Sequence, residues 1–141
     1  MAFKVLADAN IVLDFTLKRD QYEVSKKIFE LAISGDVHVF ITPSIVHITA
    51  YWLTKAYGKQ KAKEIILSLL VDIKVLDATH EVVLNAVYSK IEDIEDALQY
   101  FTALHHNLDY VLTRDKVFKK MAMPALPVYS PEDFLKEVYR P

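Results

Sequence analysis

The stretch FKVLADANIVLDF, residues 3–15, changes character in its middle. FKVLA is a short apolar run broken only by Lys4, the pattern of a strand buried on both faces. The chain turns apolar again at Ile11, but only after a carboxylate at Asp8 and an amide at Asn10. Polar groups at such a junction either cap the helix that follows or stand at the edge of a site. Working outward, VHVFI (37–41), IKVL (73–76), YVLT (110–113) and LPVY (126–129) are further apolar runs of strand type. Helical patterns separate them. YEVSKKIFELAIS, with Val24, Ile28, Leu31 and Ala32 on one stripe, runs into Gly35, and SIVHITAYWLTKAY runs into Gly58, each glycine placed as a helix stop. KAKEIILSLLVD, EVVLNAVYSKI, IEDALQYFTALHH and SPEDFLKEVY complete the set. Strands alternating with helices predict right-handed crossovers and an α/β/α sandwich around a mainly parallel central sheet of about five strands.

Composition narrows the classes. The chain has 141 residues, of which 52% are apolar, enough for one core. With glycine only at Gly35 and Gly58, and no linker, charge block or repeat, one domain over 1–141 is the expectation. A net charge of −2 and a pI near 6.2 supply no global basic field, so a polyanion must be held by a metal or a local basic patch. The absence of cysteine excludes disulfide frameworks, thiolate metal sites and cysteine nucleophiles. MAFKVLADAN is neither a signal peptide nor a membrane span, which gives the expectation of a soluble cytoplasmic protein with no membrane partner. Neither glycine lies in a phosphate-cradling loop, which excludes that mode of nucleotide binding.

Open parallel sheets form their sites where loops at the carboxyl ends of the strands converge on a crevice. Asp8 and Asn10 leave the first strand, Thr113, Arg114 and Asp115 leave YVLT, and both groups fall at the same sheet edge. IEDIEDALQYF adds Glu92, Asp93, Glu95 and Asp96 at a helix start, where Asp93 and Asp96, three residues apart, share a side. One at a time, these acids read as helix caps and partners of the helix dipole. Together, Asp8, Asp96 and Asp115 are acids that the fold can bring to one end of the sheet. Like charges so close raise one another's pKa and cost stability unless a cation joins them. Mg2+ or Mn2+, which take oxygen ligands and keep several waters, suit such a set. The corresponding chemistry is metal-assisted phosphodiester hydrolysis.

At this point the sequence resembles a known family, the PIN domain nucleases of the VapC toxin type found in toxin–antitoxin pairs. The likeness runs over essentially the whole chain. Its landmarks are VLADANIVLDF, ITPSIVHITAYWL, DIEDALQYFTAL, LDYVLTRDKVFKK and LPVYSPEDFL, in that order. The resemblance implies a PIN-like fold and a metal-dependent endoribonuclease using Mg2+ or Mn2+. Asp8, Asp96 and Asp115 would be its catalytic, metal-binding acids, Asp93 an accessory metal ligand, and Asn10 and Thr113 supporting hydrogen-bonding groups. It also implies an RNA substrate such as tRNA or rRNA, a cognate antitoxin lying across the crevice, and a homodimer through the early helices.

The chain departs from the family at one place. The acid usual in the helix after the second strand falls, by spacing, on Ile48, flanked by His47 and Thr49, and no Asp or Glu occurs from Thr42 to Lys63. The alternative is therefore a degenerate PIN module that binds RNA or a protein without cutting. A receiver-type signalling domain also gathers acids around Mg2+, but the adjacent acids, phosphorylatable Asp and lysine it needs are not found in the matching places. Arg114 and Lys116, with Lys119, Lys120, Lys18 and Arg19, form a candidate phosphate patch or an ordinary solvated face. His105 and His106 read as C-terminal helix residues, with Asn107 as a left-handed cap. Tyr51, Trp52 and Tyr57 read as core or interface aromatics.

Overall fold

A computed structural model describes residues 2–140. The strands are β1 (Phe3–Ala7), β2 (Val37–Ile41), β3 (Lys74–Val75), β4 (Tyr110–Leu112) and β5 (Val128–Tyr129). Helices α1 (Ala9–Thr16) and α2 (Tyr22–Ser34) join β1 to β2, while α3 (Pro43–Tyr57) and α4 (Lys59–Leu69) join β2 to β3. Helices α5 (His80–Tyr88) and α6 (Ile94–His105) lead to β4, and α7 (Lys116–Lys120) leads to β5. The short α8 (Pro131–Asp133) continues as a π-type turn over Phe134–Val138. The apolar runs at 3–7 and 37–41 are strands over their full length, whereas IKVL and LPVY pair only through two residues each.

Within the sheet every strand pairs parallel to its neighbours, in the order β3-β2-β1-β4-β5. The chain builds outward from β1 in one direction, then returns to the other side of β1 with β4. The order therefore reverses between β1 and β4, and a crevice opens at their carboxyl ends. The sheet has a core on each face. Val5, Ala7 and Leu112 pack with Ile11, Val12, Ile28, Phe29 and Ile45 on one side, while Leu6 and Val111 pack with Tyr100, Ala103 and Phe118 on the other. Alternation along β1 and β4 sends successive side chains to opposite faces, so a continuous apolar run is what two covered faces require. The edge departs from that expectation: His38 in β2 and both residues of β3 are exposed.

Local signals set the helix ends. Asp8, Thr42, Thr79, Asp93, Asp115 and Ser130 each accept a backbone N–H at the start of a helix. Gly35 ends α2 in the left-handed region at φ +82°, and Asn107 follows α6 at φ +56°. His106 uses Nε2 to meet the Asp77 carbonyl at 2.9 Å, which occupies it structurally. No helix among the described residues is long and apolar enough to cross a membrane.

Candidate active site

Asp8 is the residue at which β1 becomes α1, and its backbone N–H still donates to the Leu112 carbonyl of β4 at 3.0 Å. That bond sets Asp8 beside Thr113, the residue leaving β4. Asp8 Oδ1 accepts from the Ala9 N–H at 2.7 Å and so caps α1. Asp8 Oδ2 accepts from Thr113 Oγ1 at 2.7 Å and from Asn10 Nδ2 at 3.3 Å. Thr113 Oγ1 also accepts from the Asp115 N–H at 3.1 Å. Asp115 in turn caps α7 through Oδ1, which accepts from Val117 and Phe118, and Asp93 caps α6 by accepting from the Asp96 N–H at 2.9 Å. Capping and site formation are therefore compatible. Each cap uses Oδ1 of a carboxylate, and the second oxygen is left for another partner.

The acids feel one another. Burial, above all, pushes Asp96 up to about 7, and the charges of Asp93, Asp8, Asp115 and Glu95 add to it. Asp8 is raised chiefly by burial, with Asp115 adding, against hydrogen bonds from Thr113 and Ala9 and the nearby Gln99 amide that favour its charged form. Glu95, which the sequence reading did not assign a role, is raised by burial and then by Asp8 and Asp93. The fold thus gathers acids from the exits of β1 and β4 and from the start of α6.

Among the described residues, no three acidic or histidine side chains converge on one point closely enough to hold a metal ion. The donor chemistry nonetheless suits a hard divalent cation. The donors are carboxylate oxygens of repelling charge, and Asn10 Oδ1 is buried beside them with no hydrogen-bond partner.

Other sequence candidates lie elsewhere. Arg114 is engaged by two acids: Nε donates to Asp14 Oδ2 at 2.7 Å, Nη1 pairs with Glu132, and Nη2 is buried. Asp14 also holds Arg19 at 3.0 Å, so a buried carboxylate that the sequence reading passed over ties both arginines into the fold. Lys119 meets Asp133 at 3.4 Å, whereas Lys116 is exposed at the start of α7. On α3 the buried stripe is Ile45, Thr49 and Leu53. Ile48 packs half-buried against the core, and Thr49 is the buried polar residue, its Oγ1 without a partner. Gln99 was also missed. It is fully buried with both amide atoms unpaired, and its sequence signal is a polar residue one turn past Asp96, where α6 should be apolar.

Away from the acids, a groove of about 480 Å³ runs between α1–α2 and α4. Phe15, Tyr22, Phe29, Ile33, Ile65 and Leu69 line it. On α3, Tyr51 and Trp52 are about half exposed, meet edge to face at 5.2 Å, and carry the Lys55 ammonium over both rings.

A doubly wound parallel sheet with acids gathered at its switch point defines the class to which comparison then gives a family. The PIN domain model matches residues 4–117, and the chain belongs to that family. Solved structures share the fold at low identity. A toxin–antitoxin complex from Klebsiella pneumoniae is 21% identical with a TM-score of 0.68, over 90% of this chain and 97% of that one. VapBC2 from Rickettsia felis, bound to a promoter DNA fragment, is 18% identical with a TM-score of 0.66, over 89% and 97%. VapC20 of Mycobacterium tuberculosis, described as a sarcin–ricin loop cleaving toxin, is 13% identical with a TM-score of 0.67, over 86% and 97%. No curated protein matches the sequence.

Proposed function

We propose that this protein is a metal-dependent endoribonuclease of the VapC toxin type, hydrolysing RNA phosphodiester bonds. The observation that carries the reading is the gathering of Asp8, Asp96 and Asp115 at the carboxyl ends of β1 and β4 and the start of α6, where Asp8 and Asp96 are both raised by burial and by neighbouring acids. Asp8, Asp96 and Asp115 would hold Mg2+ or Mn2+, with Asp93 as accessory ligand. When bound, such an ion supplies a hydroxide from water and stabilises charge developing on the phosphate.

The chain's own residues do the rest. Thr113 and Asn10 fix the Asp8 carboxylate by hydrogen bonds to Oδ2. Thr113 couples that carboxylate to the backbone of Asp115. Lys116, exposed beside Asp115, serves the RNA backbone, while Arg114 serves the fold through Asp14 and Glu132.

Toxin–antitoxin complexes among the structural neighbours support an antitoxin as partner. The apolar groove between α1–α2 and α4 gives an amphipathic helix of that partner a seat. The exposed Tyr51 and Trp52 support a homodimer through α3. The expected compartment is the cytoplasm.

The test is cleavage of total cellular RNA by the purified protein with Mg2+ or Mn2+, beside a chelator control and Asp8→Asn prepared identically. Defined cuts lost in both controls support the nuclease. RNA retained without cuts moves the protein to a binding module, with Ile48 standing where the family usually has an acid.

A further inference from the structure

Gln99 is a fully buried side chain, yet neither Oε1 nor Nε2 has a hydrogen-bond partner among the described residues. Leaving buried polar groups unpaired is destabilising, and a methionine would fill the same length of core without that cost. The position explains the chemistry. Gln99 follows Asp96 by one turn on α6, and α6 packs across β1, the strand that ends at Asp8. The Gln99 amide favours the carboxylate form of Asp8, with no hydrogen bond yet formed between them. Asp8 also has acceptor capacity to spare at Oδ1, which takes one hydrogen bond while Oδ2 takes two.

We infer that Gln99 is a positioning residue for Asp8: its unpaired Nε2–H closes on the carboxylate from the α6 side when a cation draws Asp8 and Asp96 together, while Thr113 and Asn10 already hold it from the β4 and α1 sides. The inference rests on the proposed metal-dependent reading. It gives α6 two contributions to the crevice, Asp96 as a ligand and Gln99 as the support of a ligand on a different element. The juxtaposition matters because Asp8 and Asp96 come from separate elements. A support running from one to the other holds their relative placement once a cation is bound. Partners that orient a ligand are characteristically worth about 10- to 100-fold in metal affinity.

The test compares the wild type with Gln99→Met. Mn2+ affinity is read by the loss of the free-ion electron paramagnetic resonance signal, and stability by urea unfolding. The expected result is an unfolding midpoint at or above that of the wild type, Mn2+ affinity about tenfold weaker, and kcat lowered with KM unchanged. Equal Mn2+ affinity and kcat in the folded variant overturn the inference. A second readout needs no variant. In a Mg2+ titration of the wild type followed by nuclear magnetic resonance, the Gln99 side-chain amide signals shift with the same midpoint as the Asp8 carboxyl carbon. Asp8 shifting while the Gln99 amide stays still overturns the inference alone. A wild type that binds neither cation overturns it together with the metal-dependent reading.

Discussion

Thr113 Oγ1 donates to Asp8 Oδ2 at 2.7 Å and accepts from the Asp115 N–H at 3.1 Å. One hydroxyl thus links two acids from opposite ends of the chain, using its single donor and an acceptor lone pair in opposite directions. Thr113→Val keeps the shape and removes both bonds, leaving a buried carboxylate short of a donor and an amide short of an acceptor. The variant should lose about 1–3 kcal/mol in urea unfolding, and Thr113→Ser should restore most of it. RNA cleavage should fall in the same order, and a valine variant as stable and active as the wild type would remove the hydroxyl from the account.

Asp8→Asn separates structure from chemistry. Asparagine is as good an N-cap as aspartate, and burial works against the Asp8 charge. Stability without metal should stay within about 1 kcal/mol of the wild type. Stabilisation by Mg2+, read as a shift in melting temperature, should vanish together with cleavage. Global unfolding of the variant would instead favour a purely capping role.

The acids also predict a pH dependence with a definite sign. Asp96 stands near 7 in the fold against an ordinary 3.8, so between those values the folded state keeps a proton that the unfolded chain releases. Without metal, stability should therefore be greatest at the acid end and fall as pH rises through that window. Asp8 pushes the same way. Metal binding needs the carboxylates ionised, so Mg2+ affinity should rise through about 7 and stabilise the protein most above it. Urea unfolding at pH 5 and pH 8, with and without Mg2+, checks both directions.

Asp14 carries the arginine pair. Asp14→Ala would strand the Arg114 guanidinium, whose Nη2 is already without a partner, and should destabilise the fold by about 2 kcal/mol. Because Arg114 is held by Asp14 and Glu132, Arg114→Met should act on unfolding, whereas Lys116→Ala should weaken RNA binding with little effect on stability. The two measurements side by side separate the structural cation from the phosphate-facing one.

Strand and helix order, and the acids at their junctions, were legible in the sequence because each depends on neighbours a few residues away. FKVLA and VHVFI are apolar runs of strand length, Gly35 stops α2 where only a left-handed residue suits, and Asp8, Asp93 and Asp115 sit where helix caps belong. The sequence also placed Asp8 and Asp115 at one sheet edge, because parallel connections leave little choice. The partners brought together across the chain were set by packing between elements instead. Arg114 is held by Asp14 and Glu132, partners far from it in the sequence. Ile48 and Thr49 differ by one position, yet the helical turn leaves Ile48 half-buried against the core and buries the Thr49 hydroxyl without a partner. Gln99 gave no sign beyond a polar residue on an apolar stripe. Periodicity reports which face of an element is buried, but what a buried side chain meets there depends on packing between elements that local sequence does not encode.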